Sequence, residues 1–140
     1  MKKDQIVILK NRGAILISGD DARDFLQNIV SNDIKKVTSK NSVFSAILSP
    51  QGKYLSEFFI IQIKKGYLLD CDGDSTSELI TNLKKYKLRS DVNIEDLSTD
   101  FVIGIISTEK FKNLQTDTRS NNDTINYRDT PIFLDPRKKE

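Results

Sequence analysis

No histidine occurs among the 140 residues, and there is a single cysteine, Cys71. The first absence removes the usual general base, the usual zinc ligand and any Ser–His or Cys–His nucleophile pair. The second excludes an internal disulfide and any multi-cysteine metal or cluster site built from this chain. Charge of one sign is also scarce. The 22 basic and 20 acidic residues leave a net +2, too little for an electrostatic footprint on nucleic acid. No apolar run approaches the ~18 residues that span a bilayer, and those present, such as Phe58–Ile61 and Val102–Ile106, have strand length. The opening Met1-Lys2-Lys3-Asp4 lacks the apolar core and cleavage site of a secretory signal. The expectation is a cytoplasmic domain with no membrane and no direct nucleic-acid partner. Acid–base work would fall to carboxylates, lysine or tyrosine.

What is present suits one domain. At this length compact folding removes roughly 68% of the extended chain's surface from water. A hydrophobic fraction of 37% beside a charged fraction of 30% does not indicate disorder. Gln5–Leu9 and Ala14–Ser18 surround Asn11-Arg12-Gly13, which reads as a hairpin. Ala22, Phe25, Leu26, Ile29 and Val30 have the spacing of a buried helical face, with Ser18 and Asp21 placed as a capping box and Asn32 as a left-handed cap. Ser42–Leu48 and Tyr54–Gln62 flank Ser49-Pro50-Gln51-Gly52, a stronger hairpin signal, because proline presets the turn and glycine accepts positive φ.

A strand at Gly66–Cys71 precedes a second helix. There Ser75 and Glu78 have capping-box spacing, and Leu79, Ile80, Leu83 and Tyr86 form the buried stripe. Lys84, Lys85 and Lys87 complement that helix's negative end. Val92 and Ile94 alternate with polar residues as in a sheet with one wet face. Phe101–Ile106, apolar on both sides, reads as a central strand, followed by a short helix at Glu109–Leu114 and a short strand at Ile132–Leu134. The expected class is α+β, a mostly antiparallel sheet with two main helices. Its divisions are an α+β domain over residues 1–114, a polar loop or linker over 115–124 and the start of a following segment, truncated, over 125–140.

Glu57 carries the most chemical information. In a strand Tyr54–Gln62 it shares a face with Leu55, Phe59 and Ile61. A carboxylate in a strand apolar on both faces finds a partner, raises its pKa by desolvation, or lines a ligand cavity. The plain alternative is a strand end with Glu57 in solvent, or an ion pair to Arg89 or a lysine. Asp70 reads as an edge or strand-end acid, and Cys71 as a small buried thiol. The cluster Lys84, Lys85, Lys87 and Arg89 reads as dipole compensation and solvation before phosphate contact.

Particular strings say more than composition. Gly19-Asp20-Asp21-Ala22 through Phe25-Leu26-Gln27 to Ser31-Asn32-Asp33 resembles the "G-x-D-A-x-x-F-L-Q-x-x-x-T/S-N-D" opening of the YgfZ/GcvT folate-binding family. Leu48 through Gly52-Lys53 resembles its "L-x-x-x-G-K" hairpin, Tyr86-Lys87-Leu88-Arg89-Ser90-Asp91-Val92 its "Y-x-L-R-S/A-x-V" string, and Asp135-Pro136-Arg137 its "D-P-R" string. The resemblance implies the N-terminal part of the GcvT-like folate-binding fold, and points to the YgfZ branch. There a reduced folate, tetrahydrofolate, is bound in support of iron–sulfur cluster assembly or repair and of tRNA-modifying iron–sulfur enzymes.

The implied folate site has Leu48 and Ile61 as apolar wall and Glu57 as polar anchor. Where the glycine cleavage T-protein has an acidic pair, this chain has Ser56 and Glu57, which weighs against aminomethyl transfer. The cysteine signature "K-G-C-x-x-G-Q-E", which follows "D-P-R" in YgfZ-type proteins, has no counterpart in these residues, and Cys71 stands in an unrelated motif. The implied partners are therefore a reduced folate, iron–sulfur proteins and a separate C-terminal fragment; a reading frame cut short is the other explanation. The expected role leans towards binding without turnover. The alternatives are an aminomethyltransferase of the T-protein type and a non-catalytic interaction remnant.

Overall fold

The computed structural model describes residues 6–114, 123–127 and 130–138. Its first half runs β1 (Val7–Leu9), β2 (Arg12–Ser18), α1 (Ala22–Ile29), β3 (Val43–Leu48), β4 (Tyr54–Ile63) and β5 (Gly66–Asp72). The second runs α2 (Thr76–Lys87), β6 (Asn93–Asp96), β7 (Ile103–Ile105), α3 (Thr108–Leu114), β8 (Thr124–Tyr127) and β9 (Thr130–Phe133). Five strands join in the order β3-β4-β5-β2-β6, every neighbouring pair antiparallel. This is the α+β class that the alternation of strands and helices implies. The polar stretch 115–122 lies outside the described residues, and Thr124 already belongs to β8.

The sheet buries one face under the helices because its strands present branched and aromatic side chains there. Ile15, Ile17, Phe58, Ile60, Leu69 and Cys71 meet Phe25 and Leu26 of α1 and Leu79 and Leu83 of α2 in a single core. Burying each of the larger side chains contributes about 1.5–3 kcal/mol before conformational entropy is set against it. The helix stripes are those the spacing predicts, but neither capping box forms. Asp21 is the N-cap of α1 without a side-chain cap bond, and its carboxylate instead accepts the Asp91 backbone N–H at 2.7 Å. Ser75 likewise caps α2 by position only. Asn32 is not a left-handed cap; its amide donates to the Phe44 carbonyl and so ties the end of α1 to β3.

Two strand expectations are corrected. The run at residues 7–9 does not pair with β2, whose two edges are taken by β5 and β6; it pairs with β7 instead, Val7 opposite Ile105 and Leu9 opposite Ile103. For the same reason Phe101–Ile106 is not central. Val7 is 38% exposed, Ile8 56% and Ile105 42%, so the β1–β7 ribbon lies outside the core. The Ser49–Gly52 hairpin forms as expected, with Gly52 at φ +83° and its N–H donating to the Ser49 carbonyl at 2.9 Å.

Candidate functional site

The face of the sheet opposite the helices carries the chemistry. Register places Arg12, Ala14 and Leu16 of β2 beside Asp72, Asp70 and Leu68 of β5, with Phe59 and Ile61 of β4 next to Asp70 and Leu68. Phe44 and Ala46 of β3 then lie opposite Phe59 and Glu57. One side of the sheet therefore collects three carboxylates, Asp72, Asp70 and Glu57, with one guanidinium and a patch of aromatic surface, all from residues two apart in their strands.

Asp70 is the buried acid of this face, not the edge acid its sequence context implies. It is 7% exposed on an inner strand and accepts from Arg12 Nη2 at 2.8 Å and Nε at 3.0 Å. Burial pushes its pKa above the ordinary carboxylate value, and the Arg12 charge and hydrogen bonds, with a smaller contribution from Arg137, offset part of that rise. Asp70 lies near Leu68 and Asp72 in sequence, so its neighbours gave no sign of burial. The available signal was Arg12, the cation that opens the first long apolar run.

Glu57 sits on the same face but is exposed, and among the described residues it has no hydrogen bond or ion pair. The expectation of a carboxylate lodged among apolar neighbours is not met: its cross-strand partner Ala46 is buried, while the longer Glu57 side chain reaches solvent. Ile61 shares the face with Glu57 and is buried, 2% exposed. Leu48 is not brought together with them. The register shifts between Ile47 and Leu48, so Leu48 stands opposite Tyr54 and is exposed. Ser56, next to Glu57, points to the helix side, where its buried hydroxyl has no hydrogen-bond partner among the described residues.

The segment after β9 comes back over this face. The Phe59 ring packs against Phe44 at 5.2 Å between centroids and against Phe133 at 5.4 Å, both tilted. The Arg137 guanidinium lies 4.8 Å from the Phe59 centroid and 5.0 Å from that of Phe44. Asp135 holds it from the side, accepting from Nη2 at 2.7 Å and from Nε at 3.0 Å. The hydrogen bond to Asp135 raises the Arg137 pKa, with Glu57 and Asp70 adding to the rise through their charge. Arg137 thus stands within electrostatic reach of Glu57 and Asp70.

Elsewhere, a cavity of about 290 Å³ opens between the end of β4 and the β8–β9 ribbon, lined by Gln62, Lys64, Thr124, Asn126 and Pro131 among others. Glu57 does not line it. Cys71 is fully buried on the helix side, as expected, between the Gly13 carbonyl and the Thr76 hydroxyl, and burial raises its thiol pKa. Among the described residues no group of three or more Cys, Asp or Glu could hold a metal ion. No described helix is long and apolar enough to cross a membrane.

Comparisons with known proteins follow this geometry. The family described as "GCVT N-terminal domain" matches residues 5–129. A mitochondrial iron-sulfur cluster assembly factor IBA57 homolog from Mycosarcoma maydis is 36% identical over 104 residues, covering 65% of this chain and 26% of that protein. The Aspergillus fumigatus homolog is 33% identical over 106 residues, covering 64% and 24%. The chain therefore spans about a quarter of the length of these relatives. Among solved structures, the glycine cleavage system aminomethyltransferase T from Bartonella henselae superposes with a TM-score of 0.61 at 15% identity, over 66% of this chain and 26% of that one. At that identity the likeness speaks for the fold.

Proposed function

We propose, for a chain that belongs to the family of GCVT N-terminal domains, that it forms one wall of a tetrahydrofolate site in a YgfZ-like factor supporting iron–sulfur cluster assembly. The observation that carries the reading is the exposed Glu57 on the outer sheet face, beside the Phe44–Phe59 pair and Arg137. In this reading Glu57 is the polar anchor of the folate, and the apolar surface beside it is the wall against which the ligand lies. Relatives named as iron-sulfur cluster assembly factors support the cellular role. The proposed partners are iron–sulfur proteins, those that modify tRNA included, together with a companion C-terminal fragment. The proposed compartment is the cytoplasm, although those relatives are named as mitochondrial.

The role is binding and maintenance of partner clusters, with no turnover of the folate. Titration calorimetry with tetrahydrofolate tests it, on the chain alone and together with a companion fragment carrying the cysteine signature. Saturable heat that weakens about tenfold in Glu57→Gln supports the reading; no heat from folded protein in either setting refutes it. The second reading, one-carbon transfer of the T-protein type, follows from the likeness of folds. A transferase with Glu57 in proton transfer would lose rate by ~10² or more in Glu57→Gln, whereas a binding protein has no such rate to lose.

A further inference from the structure

We infer that Leu88, with the cations around it, is a peripheral docking knob for an anionic lipid surface, a contact independent of the folate reading. Lys87-Leu88-Arg89-Ser90 closes α2 in a tight turn, the Ser90 N–H donating to the Lys87 carbonyl at 3.0 Å. Leu88 has φ +49° and ψ −117°, the first central position of a type II′ turn. Glycine normally takes that position, because a side chain is strained there. A bulky residue at positive φ persists where something else holds it. Inside this chain nothing does: Leu88 is 85% exposed, the most open of the large apolar side chains among the described residues. A lone leucine on a surface is ordinary. A leucine that strains its own backbone to stand in water is not.

Its surroundings fix the class of partner. Lys84, Lys85 and Lys87 fill the last turn of α2 and Arg89 follows Leu88; none of the four pairs with a carboxylate among the described residues. The negative helix end accounts for cations there, but not for the leucine between them. Strand register brings Lys64 and Lys65, in the β4–β5 turn, to the same end of the sheet, since Ile17 stands opposite Tyr67 and Ser18 opposite Asn93. Asp20, Asp21 and Asp91 oppose them at that end, with Asp21 committed to the Asp91 backbone. The knob is convex, so its partner must be concave or yield to it. Three of the four flanking cations are lysines, point charges without the planar fork that a fixed set of carboxylates would select. Lysines around one apolar tip match a fluid layer of anionic headgroups over hydrocarbon. One inserted side chain with a basic rim gives weak, reversible attachment. The missing apolar run and leader bear on crossing a membrane, and a surface contact needs neither.

The test is co-sedimentation of the whole chain with vesicles of phosphatidylcholine alone and of one part phosphatidylserine to two of phosphatidylcholine, beside thermal melts. The wild-type chain should pellet with the mixed vesicles, stay in solution with the neutral ones, and be released by added salt. Leu88→Gly should weaken the partition about fivefold while raising the melting temperature, since glycine relieves the turn and the exposed leucine has no packing to lose. Lys84→Gln combined with Lys85→Gln should weaken it by roughly tenfold or more. The chain has no tryptophan, so Leu88→Trp is a sole reporter whose emission should move to the blue on the mixed vesicles. A Leu88→Gly that melts lower than the wild type overturns the strain from which the inference starts. Mixed-vesicle binding that Leu88→Gly leaves intact, or Leu88→Trp emission that stays still on those vesicles, overturns the knob. Folded wild-type chain that pellets with neither vesicle overturns the lipid surface and makes an acidic socket on another protein the occupant.

Discussion

Arg12 and Asp70 meet across the β2–β5 pairing, with Nη2 and Nε donating to the same carboxylate oxygen at 2.8 and 3.0 Å. Because burial raises the Asp70 pKa above 3.8, the folded chain holds that proton to higher pH than the unfolded chain. The stabilisation linked to Asp70 is therefore complete below the unfolded value and is lost as pH rises through the folded one. At neutral pH the ionised group is a cost that Arg12 partly offsets. Arg12→Gln should then destabilise by about 1–3 kcal/mol at pH 7, less than the ~3–5 kcal/mol of a fully buried pair because Arg12 is partly exposed. At pH 3 the loss should be clearly smaller. Urea denaturation at both pH values checks this, and an equal loss at the two would contradict it.

Phe58 belongs to the core cluster that also holds residues of both helices, and is 1% exposed. Phe58→Ala leaves a cavity between layers that pack on each other, and should cost about 3–5 kcal/mol. Equilibrium unfolding should show a lower midpoint with an unchanged denaturant slope.

Gly66 and Gly52 both have positive φ, +150° and +83°, yet they should respond differently to alanine. At Gly66 an added Cβ would meet the Ile17 carbonyl oxygen, which belongs to the inner strand β2 and cannot yield. At Gly52 it would meet nothing within 4 Å. Gly52→Ala should therefore cost only the backbone strain, about 1 kcal/mol, and Gly66→Ala measurably more. Paired thermal melts rank them, and a Gly52→Ala that is the more damaging of the two would contradict the assignment.

Cys71 should behave as an inert thiol. Burial raises its pKa, the Thr76 hydroxyl lowers it by less, and no solvent reaches it. An aromatic disulfide reagent at pH 7 should leave the folded chain unmodified over the time in which it labels the urea-unfolded chain completely.

Local signals carried far in the sequence. The Pro50–Gly52 turn, the stripes through Phe25 and Leu26 and through Leu79 and Leu83, and the strand at Gly66 each depend on residues a few positions apart. Long-range pairing did not carry. Nothing near Val7 announces Ile105, and the neighbours of Asp70 do not show that Arg12 lies across from it. The two-faced apolar pattern around Glu57 was legible, but its exposure was not, since that depends on what packs on this face from distant parts of the chain. Arg137 was visible only as one letter of a family string. Its place over Phe44 and Phe59 is a tertiary fact.

The β1–β7 ribbon has oily residues on both of its sides and, among the described residues, rests on a single mutual pairing. Two strands joined only to each other are marginal in water, and unsealed edges of that kind invite a like edge from the next molecule. Self-association of this polypeptide is therefore expected to begin at this fringe, ahead of any loss of the five-stranded sheet.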